Sequence, residues 1–93
     1  MLVHGYGGSG ALFYKCLKEL SRHFNVLVVD MIGMGSSSRP SDFNYKDFSP
    51  EQTIDYFVEY LEAWRKAMKL EKFILAGHSF GGYIVGNYAV KYH

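Results

Sequence analysis

Short apolar runs alternate along this chain with stretches whose apolar residues recur every three or four positions. Met1, Leu2 and Val3 close a first run, and residues 26–29 and 73–76 form two more. Unbroken apolar runs of this length suit strands buried on both faces rather than strands with one wet side. After the first run, Phe13, Cys16, Leu17, Leu20 and Phe24 fall where one buried helix face requires them. A second helical face is Ile54, Phe57, Val58, Leu61, Trp64, Ala67 and Met68. Its start is sharply marked: Ser49 as N-cap, Pro50 at the first helical position, and Gln52 placed to answer the cap's backbone N–H. A last helix begins at Phe80 and is lined by Ile84, Val85, Tyr88, Ala89 and Tyr92. Strands joined by helices predict a parallel sheet with right-handed crossovers, an α/β fold of three layers (α/β/α). Both ends are abrupt, the first strand being only a stub. Three strands with two open edges are hard to stabilise alone, so residues 1–93 read as a fragment of such a domain.

The turns between these elements hold the glycine. Ten glycines stand against two prolines, in three bunches: Gly5, Gly7, Gly8 and Gly10; Gly33 and Gly35; Gly77, Gly81, Gly82 and Gly86. The second bunch lies in a loop over residues 31–44 with a serine run and Arg39-Pro40.

Charge and composition narrow the function classes. With 48% hydrophobic residues, disorder is excluded, and ten Lys and Arg against nine Asp and Glu leave no field for nucleic acid. A single cysteine, Cys16, makes no internal disulfide, and no Cys/His spacing suggests a metal site, so neither a metal nor another cofactor is expected. A reducing compartment fits. No run is long enough to span a bilayer, and no basic-then-apolar leader is visible.

Two glycine motifs compete for the chemistry. Gly5-Tyr6-Gly7-Gly8-Ser9-Gly10 fits G-x-G-x-x-G, with Asp30 at the end of the next strand. Alone it reads as a dinucleotide-binding half-domain, with Gly5, Gly7 and Gly10 around a pyrophosphate and Asp30 on a ribose hydroxyl. That reading leaves the third bunch idle. Gly77-His78-Ser79-Phe80-Gly81 is a G-x-S-x-G on a strand-to-helix turn. A serine nucleophile must project from a strained turn that crowds the positions two before and two after it, a demand met by Gly77 and Gly81. The helix starting at Phe80 then offers a free N–H and a positive dipole end to an oxyanion. The loop His4-Gly5-Tyr6-Gly7 would supply the other oxyanion N–H, from Tyr6 or its neighbour, so one site employs both bunches.

These motifs, with Asp30-Met31-Ile32-Gly33-Met34-Gly35-Ser36-Ser37, occur in the order of the α/β-hydrolase superfamily, which the chain resembles over essentially its whole length. Gly33-Met34-Gly35-Ser36-Ser37-Ser38-Arg39-Pro40, Glu62-Ala63-Trp64-Arg65-Lys66-Ala67-Met68 and Phe73-Ile74-Leu75-Ala76-Gly77-His78-Ser79 resemble its lipid-metabolising branch. That branch holds N-acyl phosphatidylethanolamine lysophospholipases, a cardiolipin-specific phospholipase and the lipid-droplet coactivator of triglyceride lipase. The coactivator has asparagine in place of Ser79, so Ser79 places the chain nearer the catalytic members.

The resemblance implies a serine esterase or (lyso)phospholipase, with acyl transfer open to the full-length protein. Ser79 would be the nucleophile, Tyr6 and Phe80 the oxyanion donors, and Gly5, Gly7, Gly77 and Gly81 the loop and elbow glycines. It implies an acyl-ester or lysophospholipid substrate, contact with a membrane surface or lipid droplet, and a cytoplasmic or peripherally membrane-bound location, mitochondrial or droplet-associated included. A non-catalytic module of the same fold that binds a lipid or a lipase is the alternative. The family's triad acid and histidine come from later strands. Some members have been assigned acyl transfer through a histidine followed five positions later by aspartate, a spacing that no histidine here has. Of these histidines, His4 is expected to brace its turn, His78 to point away from Ser79, His23 to be solvated and His93 to lie too far along the last helix.

Other features read as packing. The many tyrosines and phenylalanines could form an acyl-binding surface but suit a core better. Phe43, Tyr45 and Phe48 could line a lipid entrance or simply pin their loop. Trp64 and Cys16 read as core residues, and Glu59, Glu62, Arg65, Lys66 and Lys69 as a solvated face with weak helical pairs.

Overall fold

A computed structural model describes residues 1–43 and 46–92. Three short strands, β1 (Leu2–Val3), β2 (Val28–Val29) and β3 (Ala76–Gly77), form a parallel sheet in the order β2-β1-β3. Leu2 aligns with Val28 and Ala76, and Val3 with Val29 and Gly77. Three helices follow the strands: α1 (Tyr14–Leu20), preceded by a 3-10 turn (Gly10–Phe13), α2 (Pro50–Ala67) and α3 (Phe80–Lys91).

The parallel α/β architecture expected from the sequence is therefore present, with strands shorter than the apolar runs. Residues 26–27 and 73–75 lie outside the regular strands, although the Leu27 carbonyl accepts the Leu2 N–H at 2.8 Å and the Ile74 carbonyl the amine of Met1 at 2.7 Å, and Gly77, expected to open a turn, ends β3. α2 starts as expected. Ser49 Oγ accepts the Gln52 N–H at 3.1 Å and Gln52 Oε1 accepts the Ser49 N–H at 2.7 Å, satisfying two of the donors that a helix start leaves open.

Side chains alternate across the sheet, so the register sorts them into two faces. Val3 and Val29 point to the face covered by α2 and α3, where they are buried with Phe57, Val58, Leu61, Ile84 and Tyr88. Leu2, Val28 and Ala76 point the other way, toward a cavity that Leu2 and Ala76 line with Leu20 and Phe24. Burial on both faces, expected from the unbroken runs, is not found. Val28 and Ala76 are exposed, as are Leu12, Ile74 and Phe24. Within residues 1–93 the only α-helix on the chain between β1 and β2 is α1, of seven residues, and Cys16, expected in a core, lies exposed with its thiol on the Phe13 carbonyl. Ala67, Met68 and Ala89 are exposed as well, at the outer ends of their helices.

The assignment of Glu62 to a solvated face is also overturned. It is buried between α2 and α3, where its carboxylate accepts two N–H groups of Arg65, at 2.7 and 2.8 Å, and the hydroxyl of Tyr88. Arg65 in turn donates to the Leu70 carbonyl at 2.5 Å. A buried carboxylate persists only when so paired. The Arg65 hydrogen bonds hold the Glu62 pKa down at about 2. Burial, followed by the bond to Glu62, pushes Tyr88 up to about 12.

The topology also fixes where a site can form. The chain leaves β1 toward β2 through α1, then returns across β1 to β3 through α2. Right-handed crossovers in opposite directions place their helices on opposite faces. The loops after β1 and β3 therefore diverge at a topological switch point, the usual position of a crevice in a parallel sheet.

Candidate active site

The loops at this switch point are the two glycine motifs. After β3, the chain turns into α3 within two residues. The His78 N–H donates to the Val3 carbonyl at 3.0 Å, and the Gly81 N–H to the His78 carbonyl at 2.9 Å. Ser79 sits at the apex with φ 56 and ψ −121. For a residue with a Cβ this left-handed φ is strained, by about 1–3 kcal/mol.

The spacing of the glycines has a steric cause. A Cβ on Gly77 would fall on the carbonyl of Gly81 and 2.6 Å from the Gly82 nitrogen. One on Gly81 would strike the carbonyls of Val3 and His4. α3 thus enters so close to β1 and β3 that only hydrogen fits, and this close approach allows the turn to be sharp.

After β1, the Gly8 N–H donates to the Gly5 carbonyl at 3.0 Å, closing a turn over Tyr6 and Gly7. Gly7 has φ 71, a value that suits the third position of a type II turn. A Cβ on Gly5 would stand 3.3 Å from the Cβ of Ser79, so Gly5 and Ser79 face each other across the crevice. Among the described residues, nothing accepts the N–H of Tyr6 or of Phe80. The Tyr6 ring is exposed and meets Phe80 edge-on at 6.2 Å, and Phe80 meets the buried Phe57 at 5.3 Å.

Two side chains hold the first loop. His4 is fully buried, and its Nε2 accepts the Met31 N–H at 2.9 Å. Because a backbone N–H can only donate, the ring proton is on Nδ1, which donates to the Gly5 carbonyl at 2.7 Å. The expected bracing role of His4 is thus visible in both ring nitrogens. Asp30 Oδ1 accepts the Gly10 N–H at 2.6 Å and Oδ2 the Ser36 N–H at 2.9 Å. Those bonds, from Ser36 first and then Gly10, hold its pKa below the usual carboxylate range. A carboxylate so engaged is not turned to a ribose, which removes the main support of the dinucleotide reading.

Neither an acid nor a histidine among the described residues takes the Ser79 hydroxyl. Both His4 nitrogens are engaged, His78 and His23 are exposed, and His93 lies outside the described residues. No group of three or more His, Cys, Asp or Glu side chains among the described residues could hold a metal ion, and no described helix is long and apolar enough to cross a membrane.

Beside the crevice runs an apolar groove of about 360 Å³, walled by Tyr6, Ile32, Met34, Phe43, Tyr56 and Phe57, with Arg39 and Pro40 on its loop side. Phe43 packs on Phe48, Tyr56 and Phe57 and so pins its loop while lining the groove; Tyr45 lies outside the described residues. A second apolar cavity of about 230 Å³, beneath Trp64 and Leu61, is bounded by Met31 and Ile84 and lacks Tyr6; Ser79 and Phe80 are among the walls of neither. Sequence reasoning missed the anchoring by Asp30 and the burial of Glu62, neither of which has a local signal.

The alpha/beta hydrolase fold family matches residues 1–93. The chain is 46% identical over 92 residues to a 1-acylglycerol-3-phosphate O-acyltransferase of Arabidopsis thaliana, covering 99% of this chain and 21% of that protein. It is 39% identical over 92 residues to the 1-acylglycerol-3-phosphate O-acyltransferase ABHD5 of Rattus norvegicus, again 99% of this chain and 25% of the relative. With a (lyso)-N-acylphosphatidylethanolamine lipase of Homo sapiens it shares 37% identity over 92 residues, 99% and 26% of the two chains. This chain therefore spans about a fifth to a quarter of the length of these relatives. No solved structure matches it.

Proposed function

The chain belongs to the alpha/beta hydrolase fold family, and on that premise we propose that it carries the nucleophile and oxyanion half of a serine hydrolase acting on lipid acyl esters. In this reading it is the part of a larger domain that runs from the oxyanion loop through the nucleophile elbow and its helix. The observation that carries the proposal is Ser79, strained at φ 56 between two glycines that admit no side chain and facing Gly5 across the crevice. Such strain persists where the surroundings enforce it, and it presents the hydroxyl above the turn.

The reaction follows from these groups. Ser79 Oγ attacks the ester carbonyl while its proton passes to a histidine supplied by residues beyond this chain. The tetrahedral oxyanion accepts the N–H groups of Tyr6 and Phe80, with the positive end of α3 behind Phe80. Collapse expels the alcohol, which takes the proton from that histidine and leaves an acyl group on Ser79. Water then completes hydrolysis, or an acceptor alcohol completes acyl transfer. This chemistry calls for no metal or cofactor. The substrate is an acyl ester of a phospholipid or lysophospholipid, reached through peripheral contact with a membrane or lipid droplet inside the cell. The names of the relatives, acyltransferase and lipase of glycerophospholipids, support that class.

The test is labelling of the full-length protein with a fluorophosphonate probe, together with turnover of a short-chain nitrophenyl ester. Ser79→Ala is expected to abolish labelling and to lower kcat by about six orders of magnitude. An unlabelled wild-type protein would favour the non-catalytic lipid- or lipase-binding module instead.

A further inference from the structure

We infer that Arg39 is a specificity-determining residue: its guanidinium receives the phosphate of a lysophospholipid whose apolar part lies in the groove beside Ser79. The inference rests on Ser79 as the reacting centre, because the groove gains its meaning from sharing Tyr6 with the crevice and from its wall residue Phe57, which packs on Phe80 next to Ser79.

The groove's chemistry is mixed in a particular way. Ile32, Met34, Phe43 and Phe57 give it apolar walls, and its one formal charge among the described residues is the cation of Arg39. Such a surface complements a molecule that is apolar along its length and anionic at one end. When a diacyl phospholipid loses one acyl group to Ser79, the departing alcohol is a molecule of this kind, one chain and one phosphate. In acyl transfer the accepting alcohol is the same species. The groove therefore takes the alcohol side of the reaction in either direction, and the acyl group carried by Ser79 leads elsewhere.

The cation is positioned in advance. Ser36 N–H and Ser37 Oγ both bind Asp30, at 2.9 and 2.5 Å, and Gly33 N–H donates to the Ser38 carbonyl at 2.8 Å, which fixes the loop on the end of β2. Arg39 folds back on this loop and donates to the carbonyls of Ser37 and Gly35 at 3.3 and 3.2 Å. A guanidinium has five N–H donors, so others are left for a phosphate, and no carboxylate among the described residues pairs with it. Asp42, further along the same loop, accepts the Tyr56 hydroxyl at 3.1 Å. Arginine suits phosphate through its planar fork, which lysine lacks.

The test uses the full-length protein carrying Ser79→Ala, so that nothing turns over, with three probes titrated calorimetrically below their micelle concentrations. They are an ether-linked alkylglycerol 3-phosphate, the matching alkylglycerol, and glycerol 3-phosphate. The alkylglycerol phosphate is expected to bind between about ten- and a hundredfold tighter than the alkylglycerol, the worth of a charge-assisted hydrogen bond. Arg39→Gln is expected to erase that difference and leave alkylglycerol binding unchanged, and Arg39→Lys to keep part of it. Glycerol 3-phosphate is expected to bind far more weakly than the chain-bearing phosphate. A preference that survives Arg39→Gln, or no preference at all, overturns the inference; equal binding of glycerol 3-phosphate overturns the groove as the seat of the chain. Because the assay needs no catalysis, a wild-type protein that takes up no fluorophosphonate probe while the binding preference stands would instead sink the Ser79 reading.

Discussion

The imidazole of His4 accepts the backbone N–H of Met31 at 2.9 Å, across 27 positions of sequence, and donates to the Gly5 carbonyl at 2.7 Å. One buried ring thereby fastens the turn that carries Tyr6 to the loop that carries Arg39.

Replacing His4 tests that linkage. His4→Ala strands the buried Met31 N–H and leaves a void, and a loss of about 3 kcal/mol is expected in urea unfolding. His23→Ala, at an exposed turn, is expected to stay within about 0.5 kcal/mol of wild type. Equal effects would show that the ring is not a brace.

Alanine at the glycines separates steric need from mere composition. Gly77→Ala and Gly81→Ala place a methyl on backbone atoms and are each expected to cost about 3 kcal/mol or more, with loss of soluble protein. Gly86 lies inside α3 with open space around it. Gly86→Ala is expected to raise stability by about 0.5–1 kcal/mol, measured as a higher melting temperature.

Ser79 offers a contrast between stability and activity. Ser79→Gly removes the Cβ that makes φ 56 costly and is expected to stabilise the fold by about 1 kcal/mol. Ser79→Ala keeps the Cβ and gives no such gain. Both are expected to lose esterase activity, so thermal melts that rank alanine above glycine would contradict a strained elbow.

Glu62 predicts a particular response to acid. Its folded pKa, about 2, lies below the ordinary glutamate value of 4.5. Its contribution is therefore complete above about pH 4.5 and is lost as pH falls from there toward about 2. Glu62→Gln is expected to flatten the fall in melting temperature over that window. Glu62→Ala, which leaves the Tyr88 hydroxyl without its acceptor and Arg65 without its counter-charge, is expected to cost about 3 kcal/mol at neutral pH. An unchanged acid profile in Glu62→Gln would remove Glu62 as its source.

What could be read from the sequence was set by neighbours along the chain. The start of α2 needs only Ser49, Pro50 and Gln52, whose hydrogen bonds span three residues. The sharp turn at Ser79 needs Gly77 and Gly81, two positions away on either side, and the strand and helix flanking it follow from apolar spacing. Those interactions are local, so residue type and interval suffice to determine them.

What only the tertiary structure decided depends on elements brought together from far apart. Helical spacing placed Glu62 beside charged neighbours, and the arrival of α3 with Tyr88 turned that position inward. The apolar runs of β2 and β3 promised cover on both faces, yet α1 leaves Val28 and Ala76 exposed and carries Cys16 into solvent. The loop motif named Gly5 and Tyr6, but the strand order β2-β1-β3 set them opposite Ser79 and beside Arg39. Burial and long-range hydrogen bonds depend on which surfaces meet, and a linear pattern holds that information only after the chain has folded.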